Sequence, residues 1–425
     1  MLSRYMGGAV AARTGDEMSG PALLVTGLAV TGSPLLASWL LAGLTVSAAV
    51  GGPLLGVLLD RARRPGRLLA CCLSGYAAGL LLVLSGLGRV PEAALIGVAV
   101  ATGLLGPALA GGWTAQLPLA AGPERLGRAT ALDAMTYNVA GLAGPAVVGV
   151  LAAVGGATMA VPACVALLIV ALPVAWTLPP RPDTSFAGRS AGTAGCGREE
   201  VGRQRGGRSV RAELIAGFAA ITRNPRLRGA TAGSMISCAG LAMLVVAVPV
   251  LGVRLTGESG HGALLLSVTA ACGLAMNALL ATRAPAGAGN GARTARDPAG
   301  AGGEARAARD PVRWWDGVLV WGTAVLGAGM VLAAAAQSFW IAVVAAALAG
   351  AGEGPQLTAL FSVRHREAPA RLRSQVFTTA ASLKITSYAL GSAMAGPLAS
   401  YSPGAALLAG AALQAVAVVV LIPRR

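Results

Sequence analysis

The chain has 425 residues, 55% of them hydrophobic and 12% charged, with a mean hydropathy of +0.69. Soluble proteins carry about 25% charged residues, so a chain of soluble domains is excluded. The net charge of +16 does not indicate a nucleic-acid partner, because the arginines stand in short clusters between apolar runs, with neither a basic helix face nor interleaved aromatics.

A spanning helix needs roughly 20 mostly apolar residues. Twelve such runs follow one another, at 7–31, 34–58, 68–87, 92–116, 130–153, 157–178, 229–253, 261–282, 315–336, 339–362, 375–398 and 404–422. The first is interrupted by Arg13, Asp16 and Glu17, and no cleavage-type site follows, so it reads as a span and not as a secretory leader. The stretch 179–228 holds no apolar run and separates a six-run half, 1–178, from a second, 229–425. Within it, 209–222 predicts a short amphipathic surface helix, since Leu214, Ile215 and Phe218 have helical spacing. A Gly/Ala/Arg-rich loop at 284–311 has the composition of a disordered segment.

Basic residues sort by loop. One face takes Arg4, the Arg61–Arg67 cluster, Arg125, Arg128, the arginines between Arg181 and Arg228, those from Arg283 to Arg313, Arg364 to Arg373, and Arg424 and Arg425. The other face takes Arg89 and Arg254. Basic residues are retained on the cytoplasmic side, which places both termini inside and predicts a multi-pass protein of the inner or plasma membrane, with the lipid bilayer as its partner. Trp113, Trp314, Trp315, Trp340 and Tyr401 lie near run ends, as an interfacial belt requires.

The halves echo each other. Gly106-Pro107, Glu124-Arg125-Leu126, Leu132-Asp133-x-x-x-Tyr137 and Gly144-Pro145 have counterparts in Gly354-Pro355, Arg371-Leu372, Leu383-Lys384-x-x-x-Tyr388 and Gly396-Pro397. Cys71, Cys72, Cys164, Cys196, Cys238 and Cys272 include no C-x-x-C pair and read as small packing residues. His261 and His365 fall at opposite faces. No nucleotide loop, metal cluster or nucleophile triad occurs, so neither an enzyme nor a cofactor is expected.

The turn after the second run, Gly56-Val-Leu-Leu-Asp60-Arg61-Ala-Arg63-Arg64, resembles the G-x-x-x-D-R-x-G-R-R loop of the major facilitator superfamily. Gly56, Asp60, Arg61 and Arg64 match; Arg63 replaces the second glycine and Pro65 the last basic residue. The resemblance implies an all-α membrane fold of twelve transmembrane helices in two pseudo-symmetric six-helix bundles, working by alternating access. It also implies that Asp60 latches onto the start of helix 11, near Arg373 to Phe377. The fifth run, Gly141-x-x-Gly144-Pro145-x-x-x-Gly149, is similar to the helix-5 motif of the antiporter branch, with Val148 where that motif has a glycine. Small residues there permit close helix packing.

Charges inside the runs are costly in a bilayer and mark pathways. Arg13 and Glu17, four apart, share a helix face and are expected to pair, leaving Asp16 as the freer proton carrier. Glu353 lies among glycines in the tenth run and is a second acid facing the pathway. Lys384, the single lysine, corresponds to Asp133 across the repeat, and the two are expected to attract each other across the pathway. The fourth run lacks the arginine that many proton antiporters of the family carry there. The expected function is proton-coupled efflux of a small lipophilic molecule by a monomer, driven by the proton gradient. Metabolite uptake or facilitated diffusion on the same fold is the alternative, and a non-transporting membrane sensor the alternative of another class.

Overall fold

A computed structural model describes residues 1–32, 34–122, 124–181, 210–257, 259–283 and 311–422. Among these residues there are helices and no strands. The first half contains α1 (Leu2–Thr31), α2 (Pro34–Val46), α3 (Ala48–Arg61), α4 (Pro65–Gly86), α5 (Glu92–Gly103), α6 (Leu117–Ala121), α7 (Leu126–Val154) and α8 (Ala160–Trp176). The second contains α9 (Val210–Arg223), α10 (Pro225–Thr256), α11 (Ser259–Arg283), α12 (Pro311–Ala334), α13 (Phe339–Glu367), α14 (Arg373–Tyr401) and α15 (Pro403–Leu421). All but the last residue of the loop expected to be disordered at 284–311, and most of the linker, at 182–209, lie outside the described residues, Pro311 being the first residue of α12.

Every apolar run falls on helix, with local departures that have local causes. The second run divides at Ser47 into α2 and α3. The fourth stops at Gly103 and resumes as a π-helical turn at Ala108–Gly112, where Pro107 has no N–H to give the preceding turn. Ends are set by familiar chemistry. Asn224 accepts from the amides of Arg226 and Leu227 ahead of Pro225, which sits at the first position of α10 and has no N–H to satisfy. Gly257, with φ 78, closes that helix in the left-handed conformation.

Among the described residues, nine helical stretches are long and apolar enough to cross a membrane. Three further long helices, α1, α13 and α14, fall outside that set. They are the helices that carry Arg13, Asp16, Glu17, Glu353 and Lys384. Burial explains how they are accommodated: α1 packs between α7 and α8, α13 against α12 and α11, and α14 against α10 and α3.

One large apolar cluster is drawn from residues Tyr5 to Leu178 alone, and two others from Ala230 to Ala411. A small fourth cluster, Ala115, Ala134, Phe361 and Phe377, joins the two groups of helices. They also meet where α3 and the Ala108–Gly112 turn lie along α14, and where α7 lies along α11. The expected aromatic belt needs correction. Trp340 and Tyr401 are 76% and 87% exposed, but Trp113 and Trp315 are buried. Trp113 fills space beside Tyr5, 5.9 Å between ring centroids, and Trp315 packs edge-on to Trp314 at 4.5 Å.

Candidate functional site: a latched basic face beneath interior acids

Asp60 ends the second span beside the start of α14. Its Oδ1 accepts from the Ser374 amide (2.9 Å) and its Oδ2 from the Gln375 amide (2.8 Å). These first-turn N–H groups have no partner within their own helix and sit at the positive end of its dipole, so a carboxylate suits them. Arg181, at the start of the linker, completes the latch. It donates to the Asp60 carbonyl (2.8 Å), to Asp60 Oδ1 (2.9 Å) and to Ser374 Oγ (2.8 Å). Gln116 Nε2 also donates to Ser374 Oγ, at 3.1 Å.

Gly56 explains why this stretch needs a glycine. It lies one turn before Asp60 against the Gln375 backbone and the Thr378 hydroxyl, and any Cβ would overlap them. The rest of the motif points elsewhere. Arg61 Nε donates to Glu213 Oε2 on α9 at 2.6 Å, and Arg64 is exposed ahead of α4.

Next along the interface is an aromatic layer. Tyr137 lies 5.3 Å from Phe361, Phe361 lies 6.0 Å from Phe377, and His365 lies 4.5 Å from Phe377, between ring centroids. Tyr137 and the α13–α14 rings come from different halves, so this layer spans the same interface as the Asp60 contact.

Beside it, Arg13 and Asp133 form an ion pair at 3.0 Å, with side chains 2% and 0% exposed. Arg13 also donates to Thr114 Oγ1 at 2.7 Å and to Thr136 Oγ1, and its guanidinium lies 3.8 Å from the Tyr137 ring centroid. Tyr5 donates to Asp133 at 3.1 Å. This corrects two expectations. Arg13 pairs with Asp133 and not with Glu17, and Asp133 is committed inside the first half and does not face Lys384. The cause is burial: an ion taken out of water needs a close opposite charge and hydrogen bonds to every remaining donor. The Asp133 pocket supplies the opposite charge and partners for both terminal nitrogens of Arg13, leaving only Nε unpaired.

Glu17 is then left exposed, and Asp16, Glu353 and Lys384 are partly so. The Tyr76 hydroxyl lies 2.8 Å from Ser19 Oγ, which donates to the Asp16 carbonyl at 2.6 Å. The charge of Lys384 on α14 acts on both Glu17 of α1 and Glu353 of α13. In the fifth run, a Cβ at Gly144 would come within 2.8 Å of Glu17 Cβ; the missing side chain lets α7 lie flush on α1 at this acid. Gly141 and Gly149 meet nothing within 4 Å and Pro145 is exposed. Their face of α7 looks into open space, so close packing at this motif is confined to Gly144.

Sequence reasoning missed Arg181, which looked like one more topogenic arginine in a Pro-rich linker. It also missed Tyr5, Thr114 and Thr136. The recurring Leu-charge-x-x-x-Tyr element did single out Asp133 and Tyr137, though not their partner Arg13.

Membrane-length helices in two groups, joined through the Asp60 contact with acids in the interior, define an all-α protein of the membrane. The sequence model of the Major Facilitator Superfamily matches residues 5–290, and the chain belongs to that superfamily. It is similar to an uncharacterized MFS-type transporter, y4rN, of Sinorhizobium fredii (strain NBRC 101917 / NGR234), with 28% identity over 233 residues. That match spans 54% of this chain and 52% of the relative, about half the length of each. Solved structures share the fold at low identity. The proton:xylose symporter XylE has a TM-score of 0.67 at 13% identity, covering 98% of this chain and 93% of its own. The human organic anion transporter MFSD10 and a bacterial homologue of the iron transporter ferroportin, in an outward-facing state, each score 0.68 at 14% identity, covering 99% of this chain and 98% of their own. The chain is therefore a multi-pass membrane transporter and not an enzyme.

Proposed function

We propose that the chain is a proton-coupled exporter of small lipophilic molecules in the cell membrane, with its basic face cytoplasmic. Residues 1–178 and 229–425 rock about the acids between them, and 179–228 connects them on the cytoplasmic side. The observation that carries this reading is the division of labour among the interior charges. Arg13 is consumed by Asp133, whereas Asp16, Glu17 and Glu353 stay at least partly accessible and, among the described residues, enter no close ion pair, with Lys384 acting on the last two. Acids so placed can load protons from outside while the basic face is shut and release them when it opens, provided substrate and proton compete for them. The gradient is the driving force and a monomer is sufficient.

In acid-loaded inverted vesicles, added substrate should alkalinise the lumen, and Asp16→Asn or Glu353→Gln should abolish the signal. Compounds for this assay come from the resistance profile of a deletion strain. Proton-driven accumulation of the compound in whole cells would replace export with uptake. Ligand binding without flux in proteoliposomes would make the chain a sensor.

A further inference from the structure

α9 belongs to no membrane span and has two distinct faces, one packed and one exposed. Leu214, Gly217 and Ile221, spaced three and four apart, turn toward the gate. Gly217 lies so close to the Gln375 side chain that a Cβ would overlap it. Gln375 Nε2 donates to the carbonyls of Glu213 (3.1 Å) and Leu214 (3.2 Å). Ile221 is buried with Leu227, Ala368 and Val376. With the Arg61–Glu213 pair, this face grips both sides of the latch, α3 and α14.

The other face, Arg211, Ile215, Phe218 and Thr222, is exposed, with Ile215 at 60% and Phe218 at 44%. The helix ends at Arg223, immediately before the span Pro225–Thr256 begins, so it lies at the membrane boundary. Exposed arginines flank the apolar pair at Arg211, Arg223 and Arg228. An apolar body with cationic flanks at that depth is the composition of a helix lying in the headgroup layer, and arginines there favour anionic lipid.

We propose that α9 docks through Ile215, Phe218, Arg211 and Arg223, with Arg228 of the first turn of α10 beside them, onto anionic phospholipid of the adjacent leaflet, and thereby holds the Asp60 latch closed. Lipid engaged on the outer face fixes the position of Glu213 and Gly217, and these fix Gln375, whose amide is one of the two that Asp60 accepts. Loss of the lipid contact frees α9 and removes one restraint on opening. The proposal depends on the latch geometry and not on the direction of transport.

The test is hydrogen exchange of the full chain in single-copy nanodiscs of phosphatidylcholine, with and without phosphatidylglycerol. Two segments report separately: α9 reads docking, and the amides of Ser374 and Gln375 read the latch. Phosphatidylglycerol is expected to slow exchange in both by about tenfold, as two or three surface arginines allow. Arg211→Gln/Arg223→Gln/Arg228→Gln should lose the lipid dependence at both, and Ile215→Ser/Phe218→Ser, on the same exposed face, should lose it with the charges intact. Lipid-independent exchange at α9, or lipid dependence that survives both variants, overturns the docking. Slowing at α9 with no change at Ser374 and Gln375 overturns the coupling to the latch. Protection of α9 that appears only when two copies share a disc assigns the face to a second copy and also overturns it.

Discussion

Arg13 and Asp133 illustrate what single residues do here. Each would be intolerable alone in the interior; together, with Thr114, Thr136, Tyr5 and the Tyr137 ring, every charge has an answer. Breaking such a buried pair by removing one member costs about 3–5 kcal/mol, while replacing both with apolar residues is often neutral. Arg13→Gln should therefore lower the thermal midpoint of the purified protein substantially, and Arg13→Met/Asp133→Leu should recover more than half of the loss. Equal loss in the double variant would show that the charges serve more than each other. Glu367, the last residue of α13 and beyond its apolar run, gives a pH prediction. Burial disfavours its charge, but hydrogen bonds from Arg366, Asn224 and Arg226 outweigh that and hold its pKa below the usual 4.5. A depressed carboxylate contributes stability above its unfolded pKa and loses it as pH falls through the folded one. Glu367→Gln should be less stable than the parent at pH 7, with the gap closing below about pH 4. The residues themselves were legible in the sequence as charges in apolar runs. Their partners were not, because spacing along one helix puts Arg13 and Glu17 on a shared face but cannot say which neighbouring helix that face meets.

At the scale of elements, the Asp60 contact depends on how closely α3 approaches α14. Gly56 is the contact point, and Gly52 lies likewise against Ser382. A large side chain at Gly56 must separate the helices, which pulls Asp60 from Ser374 and Gln375. Gly56→Leu should speed exchange of those two amides by at least tenfold while leaving the exchange of α4 unchanged; unchanged amides at 374 and 375 would mean that Asp60 holds without close packing. The Asp60 turn and the surface helix near 209–222 were both readable from spacing. Their joining was not. Arg181 and Glu213 reach the latch from the two ends of the linker, and a contact between residues separated by so much chain leaves no local pattern.

For the molecule as a whole, the sorting of arginines predicts sidedness. With the six native cysteines replaced by serine, single cysteines at Arg64 and Arg89 should be labelled from opposite sides of right-side-out vesicles. Labelling of both from one side would overturn the topology and the export direction with it. The sequence by itself determined that the chain is a helical membrane protein and roughly where its apolar helices lie, and its repeated elements led us to expect two related halves, because hydropathy and the Asp60 motif are local signals. Only the tertiary structure decided which charges are spent and which stay available, and that the linker belongs to the gate. Those outcomes depend on which faces of distant helices meet, and the energy of a buried charge is fixed by its neighbours in space and not by its neighbours in the chain.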